Sequence, residues 1–419
     1  MMKNSRLGVG VALAAAMAIS QGCKTDVINP GIIDAEFFDP GADATTVSLS
    51  AQTRFWNGYS TLVLWSAYFS GELWTGAARI ETNDVARRVI NSASLDVAPP
   101  WNSIQAALAS NELAIQVLAK GTNAAADVNL ARAYMNSGFA LTLLGETFCE
   151  GIILSGPPLT PAQVQDTAIA RFKQAIAIGA AAAAASPTPA TSEGTKIVNA
   201  SNVGLARVYL QKKDYANAAT TAALVPANFT YNAIRLDDPS QPGLRNIVYV
   251  NAILGTDVVI AGAYRALNDP RVPWVDAGRN ATDGQIRLFR PNKYTAGANP
   301  IRIASTLEAT YIVAEAKLLT GDPAPALALI AARRTAGGQP AFTGTGTAAI
   351  LAELMDQRAR DFWIEGKHTG DWRRNPEATP YVSASGTPFF KPAQGNYGTA
   401  SCLPVPDAER NANPNYPKG

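Results

Sequence analysis

The 419-residue sequence is poor in the side chains that most often carry chemistry. It has a single histidine, His368. That excludes metal sites built from several histidines and argues against Ser-His-Asp catalysis. Its three cysteines, Cys23, Cys149 and Cys402, form neither a zinc ribbon nor a Cys-x-x-Cys redox pair. Charged residues make up only 16% of the chain, against about 25% in an ordinary domain. The formal charge is +2, and Lys3 and Arg6 lie in a leader-like segment without an acidic residue. The remainder is neutral and has no electrostatic footprint for DNA or RNA, so no nucleic-acid partner is expected.

What is present begins with an address. Residues 1–22 read as a signal peptide, with Lys3 and Arg6 before an apolar stretch from Val9 to Ile19. That stretch is too short to span about 30 Å of hydrocarbon as a permanent helix. Ser20-Gln21-Gly22-Cys23 resembles a bacterial lipobox, in which the cysteine becomes the lipidated first residue. The alternative is an ordinary signal-peptidase cut nearby, with Cys23 a bystander. Residues 23–48 are polar and irregular, with a turn at Asn29-Pro30-Gly31, and read as an anchor and tether. Residues 49–419 then read as one domain. Export exposes thiols to oxidising conditions. Cys149 and Cys402 are the cysteines left after Cys23, and they are expected to pair. The alternative is two buried free thiols.

Hydrophobic periodicity beyond the tether is helical. Phe55, Tyr59, Leu62, Trp65 and Phe69 share one face of a first helix. A second runs from about Trp101 to Ala119. Two more are expected over 127–148, rich in small residues that permit close helix approach, and over 160–185. An internal repeat follows. Ala206, Leu210, Asp214 and Ala218 recur as Ala314, Leu318, Asp322 and Ala326, at a constant offset of 108 residues. Each unit is a helix, a Lys-Asp or Gly-Asp turn and an Ala-rich second helix, the grammar of tetratricopeptide-like hairpins. With the two upstream pairs, about four hairpins are expected. Two long irregular excursions interrupt them, at 71–100 and 226–303. The second is proline-rich, with short apolar runs such as Ile247 to Ile253. Structured excursions from a rigid scaffold often carry binding function.

A further helix is expected from Thr347 to Glu365, with Gly366 as its terminator. It leads into Asp371-Trp372-Arg373-Arg374, and the chain closes with Leu403-Pro404-Val405-Pro406, Glu409 and Asn413-Pro414-Asn415. These segments, with Glu365-Gly366 and the helix Tyr311-Ile312-Val313-Ala314-Glu315-Ala316, resemble the SusD/RagB family of bacterial outer-membrane lipoproteins. The resemblance implies a mainly α fold, a SusD-like helical scaffold with a loop-rich ligand-binding region. It implies lipidation at Cys23 and a place on the outer membrane facing the cell exterior. It also implies a non-enzymatic role, binding glycans such as starch-like oligosaccharides and delivering them to a SusC-like TonB-dependent barrel. Arg358, Glu365, Gly366, Asp371, Arg373 and Arg374 are read as a structural signature, in which arginine forks pair with helix carboxylates such as Glu315. His368 is taken as a surface or network residue.

Sugar sites place aromatic planes against ring C–H faces and pair hydroxyls with polar groups. On composition and position, the ligand-binding candidates are Trp74, Asn83, Asp84, Arg87 and Trp101 in and beside the first excursion, and Trp274 and Tyr294 in the second. Trp65 and Trp101 could instead be helical core. No cofactor is expected, and no EF-hand pattern is present, although a structural calcium held by loop carboxylates remains open. Three alternatives stand beside glycan uptake: a peptide-binding RagB-like component, a helical-repeat scaffold for protein partners, and a glycoside hydrolase. The last would need a carboxylate pair such as Glu72 with Asp84 or Glu308 with Glu315, and the sequence fixes no catalytic spacing for either.

Overall fold

Small side chains, turn-forming dipeptides and end-capping hydroxyls divide the chain into helices of about two to seven turns. The computed structural model describes residues 35–417. Its helices are α1 (Ala44–Phe69), α2 (Ile80–Ala86), α3 (Ala98–Leu118), α4 (Val128–Thr147), α5 (Pro161–Ala184), α6 (Glu193–Gln211), α7 (Tyr215–Ala222), α8 (Thr306–Leu319), α9 (Ala324–Ala336), α10 (Thr347–Asp361) and α11 (His368–Arg374), besides shorter turns. α1 packs on α3, α4 on α5, α6 on α7 and α8 on α9, which are the four expected hairpins. Six short strands, β1 (Leu73–Thr75), β2 (Thr230–Ala233), β3 (Val258–Ile260), β4 (Trp274–Asn280), β5 (Arg287–Pro291) and β6 (Ile301–Ser305), form three two-stranded antiparallel ladders, β1–β3, β2–β6 and β4–β5. The fold is mainly α.

Local chemistry explains the helix ends. Thr160 and Gln163 form a reciprocal capping box at the start of α5, with Pro161 at its first position. Asp127, Ser192, Asp214 and Ser305 each accept a backbone N–H in the first turn of α4, α6, α7 and α8. The repeat is also visible in the backbone. Lys213 (φ 61°) and Gly321 (φ 98°), 108 residues apart, both turn the chain through the left-handed region between the paired helices. Close packing relies on the small residues. The Phe172 ring lies against Gly138 and Gly204, and a β-carbon at either position would collide with it.

Of the segment before Asp39, the described part is Ala35–Phe38, in which Ala35–Phe37 form one 3-10 turn. The signal peptide and the lipidation at Cys23 lie outside the described residues. The tether expected to reach residue 48 already becomes helix at Ala44. Ile247 to Ile253, an apolar run in the second excursion, is helical. The Cys149–Cys402 bridge is formed, with a Cα–Cα distance of 5.1 Å. Around it Cys149 N–H donates to the Leu403 carbonyl and Leu403 N–H to the Thr147 carbonyl, both at 2.9 Å. The Leu-Pro-Val-Pro segment is thereby laid along the end of α4. Closing a loop of this length is worth about 5 kcal/mol at most in chain entropy. Replacing both cysteines by serine should lower stability by about 2–5 kcal/mol with helix content retained. Equal melting temperatures for variant and parent without reductant would refute that constraint.

The C-terminal signature is a buried ion network. Arg374 forks onto Glu315 at 2.7 and 2.9 Å and reaches Asp371 at 2.9 Å. Arg358 donates to Asp371 at 2.7 Å. Arg373 donates to the carbonyls of Gly145, Glu146 and Phe148. Glu365 receives Lys293 at 2.7 Å and Arg302 at 2.9 Å. Glu308 lies within 4 Å of Arg207, Arg358 and Lys367. Glu308 and Glu315 are therefore buried and neutralised by cations, and neither is presented as a hydrolytic acid or base. Glu72, the other candidate, is fully buried and accepts the Ile364 N–H at 2.7 Å.

One detail differs from expectation, and one open choice is decided. α10 ends at Asp361, four residues early. Ile364 (φ 55°) then swings the chain so that Trp363 is buried, and Tyr294 donates to the Ile364 carbonyl at 3.0 Å. A continued helix would satisfy none of these partners. His368 is not on the surface. It is 3% exposed, and its Nε2 lies 3.0 Å from the Pro380 carbonyl oxygen.

Burial sets the acid response of these groups. Burial pushes Glu72 up to about 7 and His368 down to about 4. Glu365 and Asp371, although buried, are held down at about 2 by their cationic partners. As pH falls from 7 to about 4.5, unfolded histidine takes up protons that native His368 refuses, which destabilises the fold. Over the same range native Glu72 takes up a proton before its unfolded counterpart does, which stabilises it. The two oppose, so stability should be nearly flat there. Below about 4.5 the unfolded state protonates first at Glu365 and Asp371, and stability should fall steeply towards pH 2. Denaturant melts across pH 2–8 check this. A steady loss beginning at pH 7 would contradict it.

Candidate ligand-binding face

Three loop segments, 71–100, 226–303 and 375–400, are laced together beside the helical scaffold. The β1–β3 ladder places Trp74 opposite Val259. Gly76 donates to the Asp257 carbonyl at 2.6 Å and accepts from Asp283 N–H at 2.8 Å. A β-carbon at Gly76 would strike Ala281, so the first excursion can lie this close to the second only with glycine there. Lys391, from the third segment, is buried with Asp283 at 2.7 Å and donates to the Ala77 carbonyl at 2.8 Å. Arg87 pairs with Asp84 at 2.7 Å and donates to the Gln394 carbonyl.

This lacing gathers aromatic rings. Trp74 stacks on Phe390 with centroids 4.5 Å apart and planes 9° from parallel. Trp74 and Phe289 both pack on a small cluster of Val259, Ala281 and Leu288. Trp274 meets Phe289 edge-on at 5.5 Å, and the Arg265 guanidinium lies 3.9 Å from the centre of the Phe289 ring. These rings are half-buried. Beside them Asp276 and Arg287 form an exposed pair at 2.9 Å. Half-buried aromatic planes next to accessible polar groups suit a ligand with apolar faces and hydroxyl edges.

The candidates named from the sequence divide. Trp74 and Trp274 come into one neighbourhood with their rings partly open. Asp84 and Arg87 are half-buried and committed to each other and to the Gln394 carbonyl. Three are corrected. Trp101 is 1% exposed and packs edge-on to Phe148 at 5.1 Å, so it belongs to the core. Tyr294 is buried, its hydroxyl donating to the Ile364 carbonyl, and burial raises its pKa well above the ordinary tyrosine value. Asn83 is wholly buried, and its amide donates to the Ala77 and Arg79 carbonyls at 3.0 and 2.6 Å. Sequence reasoning missed Phe289, Arg265 and Phe390. Phe390 carried a usable signal: Phe389-Phe390 stands in a Gly-, Pro- and Ser-rich stretch between the two signature motifs. Among the described residues no three His, Cys, Asp or Glu side chains converge as a metal-holding group.

No protein-family model matches the sequence, and no curated protein does. Solved structures do match. A SusD superfamily protein from Parabacteroides distasonis superposes with a TM-score of 0.65 at 16% identity, covering 90% of this chain and 99% of its own. A SusD-like carbohydrate binding protein from Bacteroides vulgatus gives 0.64 at 14% identity, covering 93% and 99%. A SusD/RagB family protein from Bacteroides thetaiotaomicron gives 0.61 at 13% identity, covering 92% and 95%. At such identity the likeness carries the fold and nothing finer: the chain has the SusD/RagB-type fold.

Proposed function

We propose that this protein captures oligosaccharides on its laced loop face and hands them to a SusC-like TonB-dependent barrel in the outer membrane. A lipid on Cys23 holds it there, facing the cell exterior. The observation that carries this reading is the convergence of Trp74, Phe390 and Trp274, from three separate loops, into one half-buried aromatic neighbourhood. A helical scaffold that only bound other proteins would not need its excursions drawn together around rings. The likeness in fold to a solved carbohydrate binding protein supports the same reading.

The mechanism is binding without chemistry. A pyranose ring lays its C–H face on an indole, while charged side chains such as Arg265, Asp276 and Arg287 accept from and donate to its hydroxyls. The neutral overall charge suits a neutral polymer approached without long-range steering.

Titrating the detergent-solubilised protein with a panel of oligosaccharides tests this. Trp274→Ala and Trp74→Ala should each weaken binding about tenfold, equivalent to about 1.4 kcal/mol. Each variant also loses a ring contact, Trp274 with Phe289 and Trp74 with Phe390, so both must be checked for folding. A folded double variant that binds as tightly as the parent would remove this face from consideration. Failure of every saccharide to bind, or of any barrel protein to co-purify, would remove the uptake reading.

A further inference from the structure

Arg88, like Arg235, differs from most of the buried arginines, and of the two it is Arg88 that lines a cleft. Arg207, Arg358 and Arg374 each donate to a carboxylate within 3 Å. Arg88 is 4% exposed, yet no carboxylate among the described residues pairs with it. Its Nη2 donates to the Ser383 carbonyl, and its Nε is buried without a partner among the described residues. Its guanidinium lies 5.1 Å from the Trp372 ring centre and 5.4 Å from that of Tyr397. Burying a cation without a counter-charge is costly. Aromatic faces offset part of such a cost but supply no counter-charge.

The backbone holds it in this position. Arg88 adopts φ 60°, a region a side-chain-bearing residue enters only when its surroundings impose it. The imposing contact is the run 398–400. Gly398 N–H donates to the Arg87 carbonyl at 2.7 Å, and a β-carbon at Gly398 would strike the Arg88 carbonyl oxygen. Two distant segments are thus fitted together to present one unpaired cation.

Arg88 lines a cleft of about 320 Å³ together with Trp372, Glu377, Thr379, Ser383 and Thr399, among others. That volume lies at the small end of ligand pockets and suits one sugar ring. Trp372 is half-buried there. The Thr379 hydroxyl is also buried without a partner. Glu377 lines the same cleft but is exposed, so water screens its charge far better than that of withdrawn Arg88.

We propose that this cleft is a subsite for a single hexuronic acid residue, with its carboxylate set against Arg88 and Thr379 and its C–H face against Trp372. It rests on the saccharide-binding reading and gives that reading a charged component. The anion supplies the counter-charge that Arg88 lacks, and a ring face rather than a bare carboxylate accounts for the indole beside it. The cleft is lined differently from the Trp74 and Trp274 neighbourhood, with which it shares no residue named there.

Isothermal titration of the detergent-solubilised full chain with glucuronate and galacturonate, their methyl esters, glucose, acetate and a dipeptide tests this. The free uronates should bind about tenfold or more tighter than their esters, because the ester removes the charge that Arg88 meets. Thr379→Val removes only an unpaired hydroxyl, so it should fold normally. It should nevertheless weaken uronate binding several-fold. Arg88→Gln should abolish it, and if that variant fails to fold, the acid-against-ester comparison on the parent still decides. Equal binding of acid and ester overturns the proposal. Acetate or the dipeptide binding as tightly as uronate overturns the sugar assignment. Neutral oligosaccharides binding while uronates do not overturns this subsite alone. Silence towards every saccharide overturns both readings.

Discussion

The short helix α11 depends on charges that have left water, and the rest of the molecule is arranged around it. Its Arg374 holds Glu315 of α8 and, through its other nitrogen, the Gln211 side chain of α6 at 2.7 Å. Its Arg373 holds the carbonyls at the end of α4, and its Asp371 receives Arg358 from α10. One seven-residue element thereby joins the ends of helices from three different hairpins. Each charge is tolerable only because its partner is present. Separating such a pair leaves a buried ion, which costs several kcal/mol, whereas the intact pair adds little net stability. The network therefore acts mainly on uniqueness: alternative stackings of similar Ala-rich hairpins would strand a charge.

That need for uniqueness is acute in this chain. Hairpins rich in Ala and Gly present weakly distinguished surfaces, and the two clearest repeats carry the same turn at Lys213 and Gly321. At equivalent positions, 108 residues apart, one repeat has Arg207 and the other Glu315. Both are buried, and they find opposite partners, Glu146 and Arg374. Swapping the two hairpins would place like charges together. The disulfide adds a second, covalent restraint at the same place, since Cys149 follows directly on the end of α4.

The scaffold was legible in the sequence because its determinants are local. Apolar spacing, the small residues of 127–148 and the repeated Asp214 and Asp322 turns fix helices within a few residues of where they lie. The signature's structural role was legible because arginines and carboxylates at that density in a low-charge chain must pair. The end of α10 was not legible. Nothing between Asp361 and Gly366 breaks a helix by itself; the break is imposed by Glu72 and Tyr294, which approach from loops hundreds or tens of residues away. The choice between surface and network for His368 was left open for the same reason, since its partner Pro380 lies in a loop.

The ligand-binding face shows the limit of reading aromatic residues by their position in the chain. Trp101 and Trp74 both border the first excursion. They differ in fate because Trp101 faces α4 across a helix pair, while Trp74 sits on an outer strand against Phe390, a residue more than three hundred positions later. Polar candidates behave likewise: Asn83 turns inward to brace its own loop, and Arg87 ties the loop to the C-terminal segment. Arg88, its neighbour in sequence, also donates to that segment, at the Ser383 carbonyl, but meets no carboxylate among the described residues. The same lacing that consumes the polar side chains of Asn83, Asp84 and Arg87 holds Arg88 in a left-handed backbone with its charge uncompensated. Where most buried guanidinium groups meet a carboxylate, one that meets none among the described residues and lies beside an open cleft is the position from which ligand selectivity can arise.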